Sequence, residues 1–187
     1  MESIWKYDSP VGGITLAGEG SALTGLWLPG QRASAGAGHS SGLFPSVPVT
    51  TFDSGVSITV SDGGTAERWL PVFGDACRWL DVYFSGKVPD FIPRLDLRGT
   101  PFRKDVWDIL LGIPYGQTMS YGEVAALVAR KRGVPRMSAQ AVGGAVGHNP
   151  VSIIVPCHRV IGADGSLTGY GGGLDLKLRL LRLEGSA

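Results

Sequence analysis

Cysteine and histidine are scarce in this chain of 187 residues: two cysteines, Cys77 and Cys157, and three histidines, His39, His148 and His158. Two cysteines cannot build a disulfide framework. No Cys or His pair has zinc-ligand spacing, so no metal site is expected. Long apolar runs are also missing, and none approaches the ~20 residues of a membrane span. The start, Met1-Glu2-Ser3-Ile4-Trp5-Lys6, is acidic and mixed, unlike a signal peptide. Charged residues make up only 18%, against 43% hydrophobic, so a buried core is expected and general disorder is not. These absences point to a cytoplasmic protein without a membrane partner.

The net charge of +1 hides an asymmetry. Residues 1–90 hold five Lys/Arg and nine Asp/Glu, a net −4, whereas residues 91–187 hold twelve and seven, a net +5. A basic half suits a polyanion, although scattered surface charge gives the same numbers.

Residues 3–28 read as a β-meander, with turn signals at Ser9-Pro10 and Gly18-Glu19-Gly20. Residues 29–66 are rich in Gly, Ser, Ala and Pro and read as a long connection, with a short strand at residues 55–60. Residues 66–85 space Trp69, Leu70, Phe73, Cys77, Leu80 and Phe84 at helical steps, predicting an amphipathic helix. Cys77 on that apolar face reads as a small buried hydrophobe. Pro89, Pro93 and Gly99 mark an inter-domain connection.

Beyond it the chain reads as helical. Thr100-Pro101 opens one helix, which stops at Pro114-Tyr115-Gly116. Ser120 followed by Glu123 has capping-box spacing and opens a second, through Leu127. The basic residues Arg130, Lys131, Arg132 and Arg136 follow, broken by Gly133 and Pro135. A third helix runs from about Ser138 to Gly147, completing a helix-turn-helix pattern that any helical bundle also contains. Residues 151–155, mostly β-branched, read as a buried strand ending at Pro156. Cys157-His158-Arg159 then places a thiol beside an imidazole and a guanidinium, groups that lower a thiol pKa. A Cys-His dipeptide alone fits an inert core thiol and a packed histidine equally well.

Several further blocks occur in order: SYGEVA at residues 120–125, AVGGAVGHNP at 141–150, Pro156-Cys157-His158-Arg159-Val160-Ile161, LTGYGGGLDLK at 167–177 and LLRLEG at 180–185. Together they resemble the O6-alkylguanine-DNA alkyltransferase family over most of residues 100–187; the N-terminal half matches loosely. The resemblance implies an α/β N-terminal domain, ribonuclease H-like, over residues 1–95. A mainly α, winged-helix-like domain with a helix-turn-helix would follow over residues 96–187. It implies direct reversal of DNA damage: one irreversible transfer of the alkyl group from O6-alkylguanine to Cys157, with O4-alkylthymine left open as a second substrate.

By the same resemblance His158 is the base, reaching the thiol through a water, and Glu184 orients its imidazole. Tyr121 donates a hydrogen bond to the guanine ring as charge builds. Asn149 tethers the turn near the thiol, and the backbones of Val160 and Gly171 read the guanine edge. The third helix, with Gln140, Ala139, Gly143 and Gly144, enters the minor groove of double-stranded DNA around a flipped nucleotide. Arg130, Lys131, Arg132 and Arg136 contact phosphates. No cofactor is implied, and the protein acts as a monomer, at the nucleoid when bound to DNA. Gln140 departs from the pattern, since relatives often carry arginine there, and the zinc site of some relatives has no counterpart. Three rival readings are a binding module that recognises lesions without transferring the group and replaces the acceptor cysteine, a cysteine hydrolase with a Cys-His-Glu triad, and a transcriptional regulator. Retention of Cys157 argues against the first. Turnover separates the second, and no extra regulatory segment supports the third.

Overall fold

The computed structural model describes residues 2–31, 66–67 and 70–187. The expected strand at residues 55–60, and most of the 29–66 connection, lie outside the described residues, as does Trp69. The start of the chain forms the expected meander: β1 (Ser3–Ser9), β2 (Gly12–Glu19) and β3 (Ala22–Trp27) pair antiparallel in order. A short β4 (Ala66–Glu67) joins in parallel on the far side of β1. Ile14, Leu16, Leu23 and Leu26 of the strands share one buried core with Phe73, Ala76, Leu80 and Tyr83 of α1 (Pro71–Phe84).

The helix is shorter than the 66–85 expected from its apolar period. Pro71 is its first residue and Leu70 is extended, because a proline disfavours helical backbone just before it. Cys77 is half-buried at the edge of the core, and burial followed by the Asp81 charge pushes its thiol up to about 11. It carries little thiolate at neutral pH.

The C-terminal half is helical as expected. α2 (Pro101–Leu111) is capped by Thr100, whose side chain accepts from Arg103 N at 3.3 Å. β5 (Met119–Ser120) leads into α3 (Tyr121–Arg132), which has a complete capping box between Ser120 and Glu123 and ends at Gly133 in the left-handed conformation. The basic stretch is therefore mostly the last turn of α3, where cations suit the helix dipole. α4 (Ala139–Gly147) is capped by Ser138. Trp107, 1% exposed, donates from Nε1 to Ala145 O at 2.9 Å and fastens α2 to α4.

Residues 151–155 are not a strand. Only Val151 makes a β-bridge, to Leu26, and the chain then turns tightly, with Val155 N donating to Val151 O at 3.0 Å. Ile153 is fully buried at φ 66°, a region β-branched residues avoid. Hydrophobic, β-branched composition reads the same in a buried turn as in a buried strand. Backbone bonds from β3 dock the two halves, Leu26 N to Pro150 O (2.9 Å) and Ser152 N to Leu26 O (2.9 Å), while Leu23 N to Arg94 O (2.8 Å) ties in the connection between them. A one-turn 3-10 helix, Cys157–Arg159, follows the turn, then β6 (Val160–Ile161) and α5 (Leu174–Leu183). β6 pairs with β5 in parallel, which brings the start of α3 beside the 157–160 segment.

Candidate active site

Asn149 clamps the tight turn from both ends. Its Nδ2 donates to Val155 O at 2.8 Å, and its Oδ1 accepts from Val151 N at 3.0 Å. The turn so closed aims Cys157 into a narrow cleft walled by Gln31, Val146, Asn149 and the glycine-rich loop at Tyr170 and Gly171. Cys157 is only 4% exposed. Burial pushes its thiol up, against hydrogen bonding from Asn149 and Ser152 and the positive charge of Lys177. The sequence expectation was a thiol lowered by adjacent cations. The structure reverses it, because burial outweighs them and Arg159 is turned elsewhere.

His158 is completely buried, and burial pushes its imidazole below the ordinary value, against the pull of Glu184. Thiol and imidazole therefore both rest neutral. His158 Nε2 lies 2.7 Å from Glu184 Oε1. A carboxylate only accepts, so Nε2 carries the proton and Nδ1 holds a lone pair. Nδ1 is buried and has no hydrogen-bond partner among the described residues.

Glu184 caps the C-terminus of α5 and is buried. Arg159 donates from Nε to its Oε2 at 2.8 Å and from Nη2 to its Oε1 at 3.0 Å, and Gly116 N reaches Oε2 at 3.3 Å. Burial alone would raise this carboxyl, but hydrogen bonds from His158 and Arg159 outweigh it and hold it at about 2. Arg159 also donates from Nη1 to Ile113 O at 2.6 Å. Its charge is thus engaged with Glu184, not with the thiol.

Lys177 was read only as the end of a motif. It is fully buried, and its Nζ donates to Val160 O at 2.5 Å and Thr168 O at 3.1 Å. It has no ion-pair partner among the described residues, which leaves its charge to act on Cys157. Tyr83 and Gln31, both from the N-terminal half, are the other residues missed. Tyr83 OH donates to Glu184 Oε1 at 2.8 Å. Gln31 Oε1 accepts from Leu28 N at 2.9 Å and Ser152 Oγ at 3.0 Å. No local pattern signals either role, because Tyr83 meets Glu184 and Gln31 meets Ser152 across the domain junction. The apolar neighbours of Lys177 on α5, Leu176, Leu180 and Leu181, were the one available hint of its burial.

Tyr121 is half-buried at the start of α3, with its hydroxyl on Thr168 O at 3.2 Å. Val160 N donates to Cys157 O, and the Val160 carbonyl, taken once by Lys177, keeps a second lone pair. A Cβ on Gly171 would come within 3.0 Å of Gln31 Nε2, and one on Gly172 within 2.9 Å of Leu176.

On the outer face of α4, Ala139, Gln140 and Gly144 are exposed and Gly143 is half-buried. A Cβ on Gly144 would meet nothing within 4 Å, and one on Gly143 only the Tyr121 ring at 3.7 Å. Internal packing therefore does not require either glycine. Of the four cations, Lys131 pairs with Asp108 (2.7 Å) and Asp105 (3.0 Å), and Arg132 with Asp105 (2.7 Å). Arg130 and Arg136 are exposed on the rim of an open groove between α3 and the 134–137 connection and have no ion-pair partner among the described residues.

Among the described residues no group of His, Cys, Asp or Glu can hold a metal ion, and no helix is long and apolar enough to cross a membrane. Two family models match the chain. One, "6-O-methylguanine DNA methyltransferase, ribonuclease-like domain", covers residues 5–97, and the other, "6-O-methylguanine DNA methyltransferase, DNA binding domain", covers residues 101–186. A methylated-DNA–protein-cysteine methyltransferase of Methanosarcina acetivorans is 53% identical over 181 residues, 96% of this chain and 96% of that one. One from Mycobacterium tuberculosis is 44% identical over 182 residues, 96% of this chain and 90% of that one. A crystal structure of Mycobacterium tuberculosis OGT in complex with DNA superposes with a TM-score of 0.72 at 43% identity, covering 98% of this chain and 93% of that one.

Proposed function

The chain belongs to the 6-O-methylguanine DNA methyltransferase family, and we propose that Cys157 takes the alkyl group from O6-alkylguanine in double-stranded DNA and keeps it. It is a DNA-repair methyltransferase that reverses the damage directly, built from a ribonuclease-like domain and a helical DNA-binding domain. The observation that carries the assignment to Cys157 is the Cys157, His158 and Glu184 arrangement. A thiol and an imidazole both rest neutral, and the carboxylate fixes the imidazole tautomer so that its free lone pair is on Nδ1.

The reaction follows from those states. His158 Nδ1 takes the thiol proton through a bridging water, and the sulfur attacks the alkyl carbon. An S–C bond forms as the C–O6 bond breaks, and guanine leaves with the electron pair. Tyr121 OH moves from Thr168 O to the guanine ring and meets the developing charge, a preorganised donor of the oxyanion-hole kind. Val160 and Gly171 backbone groups hold the guanine edge. The thioether does not hydrolyse, so each molecule acts once. That distinguishes this reading from a cysteine hydrolase, which would recover its thiol.

The cleft at Cys157 encloses only about 10 Å³, far less than the ~300–1,000 Å³ of ordinary ligand sites. Entry of a flipped base therefore requires the 169–173 loop to move away from Gln31. The glycines of that loop suit such a close backbone approach.

The exposed face of α4 is the DNA-reading element, laid in the minor groove. Gly143 and Gly144 each cost helix stability, about 1 kcal/mol relative to alanine. Nothing inside the protein needs them, so an outside surface that must approach closely is the physical reason for them. Gly144→Leu is expected to leave the melting temperature unchanged or higher and to weaken DNA binding at least about tenfold, since a minor groove is only ~6 Å wide. An affinity titration with undamaged duplex checks it, and unchanged binding would remove α4 from the interface.

Arg130 and Arg136, with no carboxylate partner, are the stronger phosphate contacts. Lys131 and Arg132 must first loosen from Asp105 and Asp108. Gln140 fills the gap left by the flipped nucleotide without adding charge. Gln140→Arg is expected to tighten DNA binding and steepen its salt dependence by about one counterion. Equal salt slopes for the two proteins would sink that role. The protein works as a monomer, inside the cell where its DNA is. The decisive test is intact mass after incubation with duplex DNA containing O6-methylguanine. The expected result is a gain of one methyl, mapped to Cys157 and not exceeded with excess DNA.

A further inference from the structure

Glu184 Oε1 is shared by three donors, and one of them comes from outside the DNA-binding domain. Tyr83, on α1, places its hydroxyl 2.8 Å from Oε1 and 3.4 Å from His158 Nε2. The ring is wholly buried: stacked on Trp79 (centroids 5.3 Å, 11°), edge-on to Tyr115 (5.9 Å, 75°) and edge-on to His158 (6.4 Å, 74°). So packed, the phenol has no freedom to aim its oxygen elsewhere. Its single proton goes to the carboxylate, because Nε2 already directs its own proton to the same Oε1 at 2.7 Å.

We infer that Tyr83 is a positioning residue for alkyl transfer: its hydroxyl fixes the Glu184 oxygen that sets the His158 tautomer. The ribonuclease-like domain thereby acts on the proton-transfer step of a reaction carried out in the other domain. This rests on His158 being the base that deprotonates Cys157.

The hydrogen bond has a definable effect. It draws negative charge from Oε1 and so weakens the hold of Glu184 on a protonated His158. The other titratable or charged groups facing this pair are Arg159 from the 3-10 turn, Tyr115 from the loop after α2, Tyr170 from the glycine-rich loop and Lys177 from α5. None of them changes in the variants below.

In Tyr83→Phe the single-turnover rate constant is expected to fall about tenfold, the fold-change of one lost hydrogen bond to a charged group. The acid limb of its pH–rate profile is expected to move up by about half a pH unit, as His158 keeps its proton to higher pH. Site-specific 3-fluorotyrosine at position 83, a stronger donor of nearly the same shape, should move the limb the opposite way. A merely structural Tyr83 would lower the rate and the melting temperature together with the limb unmoved, and that result overturns the proposal. So does an unchanged rate and profile. If Tyr83→Phe does not fold, the fluorotyrosine protein decides: an unmoved limb is a refutation. A wild-type protein that gains no methyl at Cys157 would instead fail the assignment beneath it, and the two failures are separately visible.

Discussion

Cys157→Ala is expected to gain no mass from duplex DNA carrying O6-methylguanine, at any incubation time, while folding normally and binding that DNA as before. The loss should be complete because no other group can substitute. Cys77, the second thiol, is pushed up to about 11 by burial and the Asp81 charge, so its nucleophilic form is rare at neutral pH. It sits on α1 within the N-terminal core and does not line the cleft. Hydroxyl groups are harder and far less acidic than a thiol, and an alkyl carbon calls for a soft nucleophile. Folding should survive, because a buried cysteine behaves as a small hydrophobe and truncating it to alanine costs only about 1 kcal/mol. Intact mass, peptide mapping and a binding titration on the same sample check the three parts. Methyl transfer persisting in the variant, or mapping to another residue, would end the assignment of Cys157.

Glu184→Gln is expected to slow transfer by up to about 10⁴-fold, the loss that follows from a wrong imidazole tautomer in a triad. Glutamine has an acceptor oxygen on one side and a donor NH2 on the other. Arg159 approaches both carboxylate oxygens, so either amide orientation opposes a donor to a donor at Arg159, and one of them does only that. The other turns the NH2 toward His158 Nε2. That second orientation moves the imidazole proton to Nδ1, the atom proposed as the base. Stability should fall by about 3–5 kcal/mol at neutral pH, because Arg159 is left buried with its charge uncompensated.

The same carboxylate governs acid stability. Glu184 is held below its ordinary 4.5, at about 2. The unfolded chain therefore binds its proton first as pH falls. The stabilisation, about 3 kcal/mol, is complete above roughly pH 5 and is lost between about 4.5 and 2. His158 has the same sign, since burial lowers its pKa in the folded state, and so stability begins to decline once pH falls below about 6.5. Urea titrations from pH 7 to pH 3 should show the wild type losing stability and the gap to Glu184→Gln closing. A gap that stayed constant would mean that Glu184 is not held ionised by these partners.

Much of the architecture was legible before any coordinates. Alternating apolar residues with glycine turns placed β1 to β3, and the Thr100, Ser120 and Ser138 caps placed α2, α3 and α4, because those signals are local and act over three or four residues. The boundary at Pro71 and the turn at residues 151–155 were not legible. In the first, a hydrophobic period continued past the residue where the backbone stops being helical. In the second, the conformation is imposed by Asn149 at both ends, with Ile153 held at a strained φ that its own chemistry disfavours.

For the site, sequence alone was enough for the order of blocks around Cys157, His158 and Glu184, and so for the chemistry of a thiol, a base and a carboxylate. Tertiary structure decided their charge states. Burial turned an expected thiolate into a neutral thiol. It also withdrew Arg159 to Glu184 and left Lys177 as the cation acting on the sulfur. Tertiary structure alone also brought in Tyr83 and Gln31, 101 residues from Glu184 and 121 from Ser152 respectively. The physical reason is the same throughout. A residue type and its spacing define what a group is able to do, whereas desolvation and partners from distant strands and helices define the state in which it does it.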